Sequence, residues 1–139
     1  MKFLPRAKLC TVQPHEQWLA RAENDLAFAG IGFREKYFSQ VCFLSQQVVE
    51  KCLKAFLLAK GRSYPRQHKV VELATLCAEI QEELEPLKIE LKLLDEFYLP
   101  TRYPDAIPGG LGAGLPSTED AQRALRAATA ILGIVRARI

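Results

Sequence analysis

The stretch from Tyr37 to Lys60, YFSQVCFLSQQVVEKCLKAFLLAK, constrains the fold more than any other part of the sequence. Apolar side chains recur along it at intervals of three and four residues, which predicts one long helix packed into a core. The apolar face comprises Phe38, Val41, Cys42, Ser45, Val48, Val49, Cys52, Leu53, Phe56 and Leu57. The other side mixes polar and apolar residues, namely Gln47, Glu50, Lys51, Lys54, Phe43, Leu44 and Leu58. We therefore expect this helix to pack on more than one side.

The length and composition predict one globular domain over residues 1–139. A chain of 139 residues is in the usual size range of a single domain. Its content of 49% apolar and 25% charged residues excludes the class of disordered proteins. The net charge of +3 is too small to predict a nucleic-acid surface, although it permits an anionic ligand. No membrane span or signal peptide is predicted, so we expect a soluble, cytoplasmic protein.

A first amphipathic helix precedes the central one. It begins at Pro14, which suits a first turn because its missing N–H would have no intrahelical partner there, and it ends near Gly30 or Gly32. Its buried stripe consists of Trp18, Leu19, Ala22, Leu26, Ala29 and Phe33, whereas its charged residues Arg21, Glu23 and Asp25 are expected to point away. Gly61 lies just past the last apolar turn of the central helix and is expected to end it.

Two further helices are predicted after the central one. The third is short, follows His68 and carries apolar residues from Val70 to Ile80. The fourth has Pro86 in its first turn. It is expected to end near Leu99, because Pro100 disfavours helical geometry in the residue before it.

The remaining segments complete the predicted architecture. Residues 100–116 are rich in glycine and proline and predict a long loop, of a length that is often functional. Ser117 is a good N-cap for a last helix, and residues 1–13 are predicted to form an irregular arm. The sequence as a whole predicts an all-α, up-and-down helical bundle of four main helices plus one shorter helix.

The cysteines and histidines do not have the spacing of a metal or redox site. The four cysteines are Cys10, Cys42, Cys52 and Cys77, without a C-x-x-C pair. Cys42 and Cys52 would lie about 15 Å apart on one helix, too far for a disulfide, and we expect them to be small buried hydrophobes. The two histidines, His15 and His68, form no H-E-x-x-H motif, and the glycine-rich loop misses G-x-G-x-x-G. Neither a metal nor a cofactor is predicted.

The cluster with the most chemistry is YLPTRYPD, from Tyr98 to Asp105. Arg102 offers a planar fork of donors that suits phosphate, while Tyr98 and Tyr103 offer aromatic faces and hydroxyl groups. Asp105 would orient the arginine, and such a set would bind a nucleotide or an RNA backbone. In the alternative interpretation, Arg102 and Asp105 pair only to hold the loop. The residues alone leave both interpretations open.

Several short motifs follow one another along the chain. The first helix contributes Trp18, Ala22, Asp25 and Leu26, and the central helix contributes Gln46, Gln47, Glu50, Lys51, Lys54 and Ala55. Gly61, Pro65 and His68 follow, and the last piece is TRYPD, residues 101–105. In this order and spacing the motifs resemble the HEPN domain (higher eukaryotes and prokaryotes nucleotide-binding), over roughly residues 15 to 137.

The resemblance implies a bundle of four or five helices that frequently pairs into dimers. It also implies nucleotide or RNA binding and an operon partner of the minimal nucleotidyltransferase class, as in toxin–antitoxin systems. Members of this family that cut RNA without a metal carry an arginine and a histidine separated by four to six residues. Here Arg102 matches the arginine, but residues 103–108 contain no histidine. The resemblance therefore does not by itself predict cleavage.

Three more residues are candidates for the site. Because histidine side chains in general change charge near neutral pH, His68 would act as acid or base if it faced Arg102, whereas the alternative is that it caps the third helix. Lys51 and Lys54 would neutralise phosphate beside the same cleft, whereas the alternative is a solvated helix face shared with Glu50.

Three functions remain open on this reasoning. The first is a HEPN-like protein that binds nucleotide or RNA, is a homodimer and acts with a nucleotidyltransferase. The second is a non-catalytic helical module for dimerisation or other interactions, supported by the missing histidine and the apolar circumference of the central helix. The third is a metal-independent RNase that uses His68 in place of the missing histidine.

Overall fold

The computed structural model describes residues 12–66, 69–102 and 116–139. They form α1 (Pro14–Arg34), α2 (Phe38–Ala59), α3 (Val70–Ala78), α4 (Lys88–Arg102) and α5 (Thr118–Arg138), with a 3-10 helix at Glu82–Leu87. No strand occurs in these three ranges, and the predicted all-α helical fold is confirmed. No helix within them is both long enough and apolar enough to cross a membrane.

Helix α2 lies at the centre of the bundle and contacts all four other α-helices. Most of its predicted apolar face is buried: Val41, Cys42, Ser45, Val48, Val49, Cys52, Leu53 and Phe56 have no exposed surface, and Leu57 is 2% exposed. The prediction that α2 packs on more than one side is confirmed, since Glu50 on the mixed side is 6% exposed and Lys54 is 5% exposed. The alternative of a solvated face around these two residues is therefore wrong. Helices on every side of α2 exclude water from residues that periodicity alone assigns to the surface.

Helix α1 begins at Pro14, as predicted, and runs antiparallel to α2. It continues through Gly30 and Gly32 to Arg34 instead of ending at the glycines, because a glycine costs a helix only about 1 kcal/mol relative to alanine. A Cβ atom at Gly32 would lie 3.3 Å from Cγ2 of Val41, so the missing side chain permits this close approach of α1 to α2.

The predicted end of the central helix and the predicted start of the last helix are both confirmed. Gly61 has φ +77°, a left-handed conformation that glycine adopts readily. Its N–H donates to the Leu58 carbonyl at 3.0 Å, and Arg62 N–H donates to the Leu57 carbonyl at 2.8 Å, which is a Schellman motif. At α5, the Ser117 hydroxyl accepts from Asp120 N–H while the Asp120 carboxylate accepts from Ser117 N–H. This capping box satisfies two amides that would otherwise lack partners.

The predicted boundaries of α4 are wrong at both ends. Pro86 lies in the 3-10 helix two residues before α4, not in the first turn of α4. At the other end α4 passes through Pro100 and ends at Arg102, because the effect of a proline on the preceding residue is a bias that neighbouring contacts can overcome. The first three residues of the predicted loop 100–116 are thus helical, and 103–115 lie outside the described residues, as do 1–11 of the predicted arm.

Three cysteines are free and buried, which confirms their predicted role as small core residues: Cys42, Cys52 and Cys77. Burial raises the pKa of each of these thiols from 9.0 to about 12. Asp120 adds a smaller upward effect on the pKa of Cys42, whereas Arg62 lowers that of Cys77. Cys10 lies outside the described residues.

The buried thiols predict a loss of stability at alkaline pH. Because the folded-state pKa lies above that of the unfolded chain, the stabilising contribution is complete below the unfolded pKa and is lost as pH rises toward the folded pKa. Ionisation of these three thiols in the unfolded chain is expected to lower the free energy of unfolding by roughly 2 kcal/mol between about pH 8 and about pH 9.5. Urea titrations at the two pH values measure the difference. A variant with all three cysteines replaced by alanine should lose most of this dependence, and an unchanged dependence would contradict the assignment.

Candidate functional site

The second half of α2 carries a buried lysine surrounded by aromatic rings. The Lys54 ammonium lies 3.2 Å from Oε2 of Glu50, one turn earlier on the same helix. It also lies 5.7 Å from the ring centroid of Trp18 and 5.2 Å from that of Tyr64. A cation held over aromatic faces is attracted to them more strongly where water is excluded. Lys54 therefore joins α1, α2 and the loop after α2 at one point.

The two rings over Lys54 also contact each other. Trp18 and Tyr64 pack edge to face, with centroids 5.7 Å apart and an interplanar angle of 87°. Aromatic pairs prefer this geometry because the positive edge of one ring meets the negative face of the other. The contact fixes the loop residue Tyr64 against the first turns of α1.

A second charged pair joins α1 to α2 two turns further along α1. The Lys51 ammonium donates to the Asp25 carboxylate, and both side chains are about one-fifth exposed. Asp25 was expected to point away from the helix contact, and that expectation is wrong. The short side chain of Asp25 reaches α2 because the two helices pack closely over their whole length, with alanines at Ala22 and Ala29 in the interface.

A surface pocket opens beside the aromatic pair. Its volume is about 230 Å³, and among the described residues Gln17, Trp18 and Arg21 line it. These three residues lie within about one turn of α1 and so share one side of the helix. Arg21 is exposed. It forms no ion pair with any group in the part of the chain that the structure describes.

A polar network in the middle of the bundle holds the start of α3. Gln47 donates from Nε2 to Oε1 of Gln46 at 2.8 Å, and Gln46 hydrogen-bonds to Asp95 of α4. The two oxygens of Asp95 accept the N–H groups of Val70 at 2.8 Å and Val71 at 3.1 Å. Burial raises the pKa of Asp95, while the hydrogen bonds from Val71, Val70 and Gln46 and the charge of Lys69 act in the opposite direction.

The Asp95 carboxylate therefore does what a side-chain N-cap usually does. The N-cap residue of α3 is Lys69, whose side chain makes no capping hydrogen bond, and Asp95 satisfies two of the first amides of the helix from another element. His68, one of the residues considered for this capping role, lies outside the described residues.

We expect Asp95→Ala to destabilise the start of α3. The substitution leaves two partly buried N–H groups without their acceptor, which costs about 1–3 kcal/mol. Amide exchange at Val70 and Val71 should become faster relative to amides in the middle of α2. Glu96→Ala is the matched control, since Glu96 is the exposed neighbour on the same helix. Equal exchange at Val70 in the two variants would contradict the capping role.

The structure places two of the predicted site residues in contacts. Lys51 pairs with Asp25 and Lys54 with Glu50, so both lysine charges are compensated within the helix packing. Tyr98 and Arg102 belong to α4. The other three predicted residues, His68, Tyr103 and Asp105, lie outside the described residues. The ligand-binding roles of all seven, and the approach of His68 to Arg102, stay predictions.

Sequence reasoning did not find the residues around Lys54. The apolar repeat predicts Trp18 in the buried stripe of the first helix, and no motif in the sequence includes Tyr64. Trp18 and Lys54 belong to the motifs on which the family resemblance rests, and Tyr64 adjoins Pro65 of the same motifs. This grouping is the signal that could have found the cluster. Within the described ranges, no group of three or more His, Cys, Asp or Glu residues could hold a metal ion.

Comparisons with known proteins agree in the kind of domain they indicate. A family model described as the HEPN domain matches residues 15–138. A protein of Methanocaldococcus jannaschii named "Putative toxin MJ1304" is 28% identical over 127 residues, which cover 86% of this chain and 84% of that protein. The crystal structure of TT1696 from Thermus thermophilus has a TM-score of 0.75 and 32% identity, covering 90% of this chain and 98% of that one. The crystal structure of ST0689, an archaeal HEPN homologue, has a TM-score of 0.71 and 30% identity, covering 89% and 96%.

Proposed function

Because the chain belongs to the HEPN domain family, we propose that it binds nucleotide or RNA and acts with a minimal nucleotidyltransferase in a toxin–antitoxin-type system. The observation that carries the proposal is the similarity to a protein named as a toxin, since the match extends over 84% of that protein. A match of this extent includes the whole helical bundle and not one shared motif. We place the activity in the cytoplasm and assign no cleavage to it.

In this proposal the end of α4 forms the binding site. Arg102 binds phosphate and Tyr103 stacks on a base, with Tyr98 and Asp105 as supporting groups. Lys51 and Lys54, which the sequence predicted beside this site, are engaged in ion pairs with Asp25 and Glu50, so we assign the phosphate to Arg102 and not to them. The proposal includes a homodimer, in which two copies of this end of the bundle face each other across one cleft.

A binding measurement tests the site assignment. Isothermal calorimetry of the purified chain with ATP and with a short RNA should detect binding, and Arg102→Ala should weaken it by about tenfold or more, the loss expected for a charge-assisted hydrogen bond to phosphate. Arg126→Ala is the control because Arg126 is an exposed arginine on α5. Binding that is absent in the wild-type chain, or equal in wild type and Arg102→Ala, would reject the assignment of Arg102.

A specific observation favours the second candidate, an interaction module. Phe28 is 62% exposed and Ile31 is 49% exposed, one turn apart on α1, and Tyr37 just after the helix is 61% exposed. Large apolar side chains exposed side by side are typical of surfaces that contact another chain. Light scattering of the wild type and of Phe28→Glu separates the candidates. A dimer that Phe28→Glu dissociates, together with no binding of ATP or RNA, would favour the interaction module.

A further inference from the structure

Three cations close to α1, namely Arg21, Lys51 and Lys54, differ in whether they have a carboxylate partner. Lys54 has a carboxylate partner at 3.2 Å, and Lys51 has one in Asp25. The charge of each lysine is therefore compensated inside the bundle, which reduces its attraction for a phosphate group from solvent. Arg21 is exposed and forms no ion pair with the described residues. Of these three cations, Arg21 is the one whose donors face solvent and are available for an anion.

The pocket beside Arg21 has the lining that a nucleotide needs. Trp18 presents part of its indole, Gln17 presents an amide and Arg21 presents a guanidinium group. An aromatic face binds any nucleobase by stacking, an amide can donate and accept at a base edge, and a guanidinium group forms paired hydrogen bonds with phosphate. A volume of about 230 Å³ lies below that of most pockets for drug-sized ligands. A pocket of this size suits one base-sized group.

We infer that this pocket is a nucleotide subsite, in which Trp18 stacks on a base, Gln17 hydrogen-bonds to its edge and Arg21 binds its phosphate. The inference rests on the proposed function, that the protein binds nucleotide or RNA, and it adds a site on α1 that is separate from the residues at the end of α4. The ligand is a base that carries a phosphate group, either as a free nucleotide or as one unit of an RNA strand.

Contacts inside the bundle fix the orientation of the indole. Lys54 lies against Trp18 and Tyr64, and Tyr64 meets the indole edge to face. A ring that is fixed by its neighbours loses little conformational freedom when a base stacks on it, so less of the interaction energy is spent on ordering. Lys54 and Tyr64 are thus positioning residues, while Gln17, Trp18 and Arg21 contact the ligand.

Fluorescence provides a direct test because Trp18 is the single tryptophan of the chain. The full chain is titrated with AMP and, separately, with a short oligoadenylate. A saturable change in tryptophan fluorescence is expected, and the ligand that binds more tightly identifies the source. Arg21→Ala should weaken binding about tenfold. Arg34→Ala should leave it unchanged, since Arg34 is an exposed arginine on the same helix and lies about 20 Å away by helical rise.

Calorimetry with the same ligands separates the failure of this inference from the failure of the proposed function. Trp18→Phe should keep binding within about threefold and Trp18→Leu should weaken it about tenfold, because only the first retains a ring for stacking. Binding that leaves the fluorescence unchanged and is equal in Arg21→Ala would overturn the subsite while the proposed function stands. If the wild-type chain binds neither AMP nor oligoadenylate, the subsite and the proposed nucleotide binding are both wrong.

Discussion

Replacing Glu50 with glutamine is expected to lower the free energy of unfolding by about 3–5 kcal/mol, the usual cost of removing one partner from a buried ion pair. The side chains of Lys54 and Glu50 are 6% and 8% exposed. Once the carboxylate is lost, the ammonium remains buried without a counter-charge. Within the described part of the chain, its other neighbours are the rings of Trp18 and Tyr64, whose attraction for a cation is smaller than the loss. Urea unfolding followed by circular dichroism measures the change.

A double-mutant cycle distinguishes charge from packing at this position. Lys54→Met keeps most of the length of the side chain but removes its charge, so Glu50→Gln combined with Lys54→Met contains no buried charge from this pair. We expect the double variant to recover most of the stability lost in Glu50→Gln, since replacing a whole buried ion pair is often close to neutral. A double variant as unstable as Glu50→Gln would mean that the pair is not the source of the effect.

Truncating Phe56 to alanine is expected to destabilise the bundle by about 3–5 kcal/mol. Phe56 has no exposed surface and is the largest of the fully buried side chains on α2. Because α2 contacts all four other α-helices, the space left by the ring cannot close through the movement of one neighbour alone. The cost therefore includes both lost apolar burial and a residual cavity. Denaturant titration should show a lower midpoint with an unchanged slope.

Phe28→Ala is the matched control for this prediction. Phe28 is 62% exposed on α1, so removal of its ring takes little apolar surface out of the core, and we expect a change within about 0.5 kcal/mol. Aromatic residues on helices are usually buried, which by itself predicts a core assignment for both phenylalanines. For Phe28 that assignment is wrong, because it lies outside the three- and four-residue repeat that faces α2. Equal losses in the two variants would contradict the packing described for α2.

The helices themselves follow from local signals in the sequence. Pro14, Gly61 and Ser117 each act within one or two turns of the backbone, through a missing N–H, a left-handed conformation or a hydroxyl acceptor. Such signals depend little on distant residues. The helix ends predicted near Gly32 and Pro100 are wrong because the local signal at these two residues is weaker. Glycine and proline only bias the backbone there, so a helix can continue through them.

The polar contacts of the candidate site could not be predicted in the same way. Asp95 is 25 residues from Val70 along the chain, and Lys51 is 26 residues from Asp25. No local pattern indicates which of several carboxylates will cap a distant helix or pair with a given lysine. Gln46 and Gln47 were recognised as family motif residues from the sequence, but their hydrogen-bonded link to Asp95 is visible only when α2 and α4 are packed together.

The sequence by itself determined that this chain forms an all-α bundle of the HEPN family with the stretch from Tyr37 to Lys60 at its centre. Hydrophobic periodicity marks the face of a helix that must be buried, and it does so without knowledge of neighbours. Periodicity does not state how many neighbours a helix has. Only the tertiary structure decided that Glu50 and Lys54, on the mixed side of this helix, are buried with Lys54 against Trp18 and Tyr64, because burial depends on every element that packs around α2.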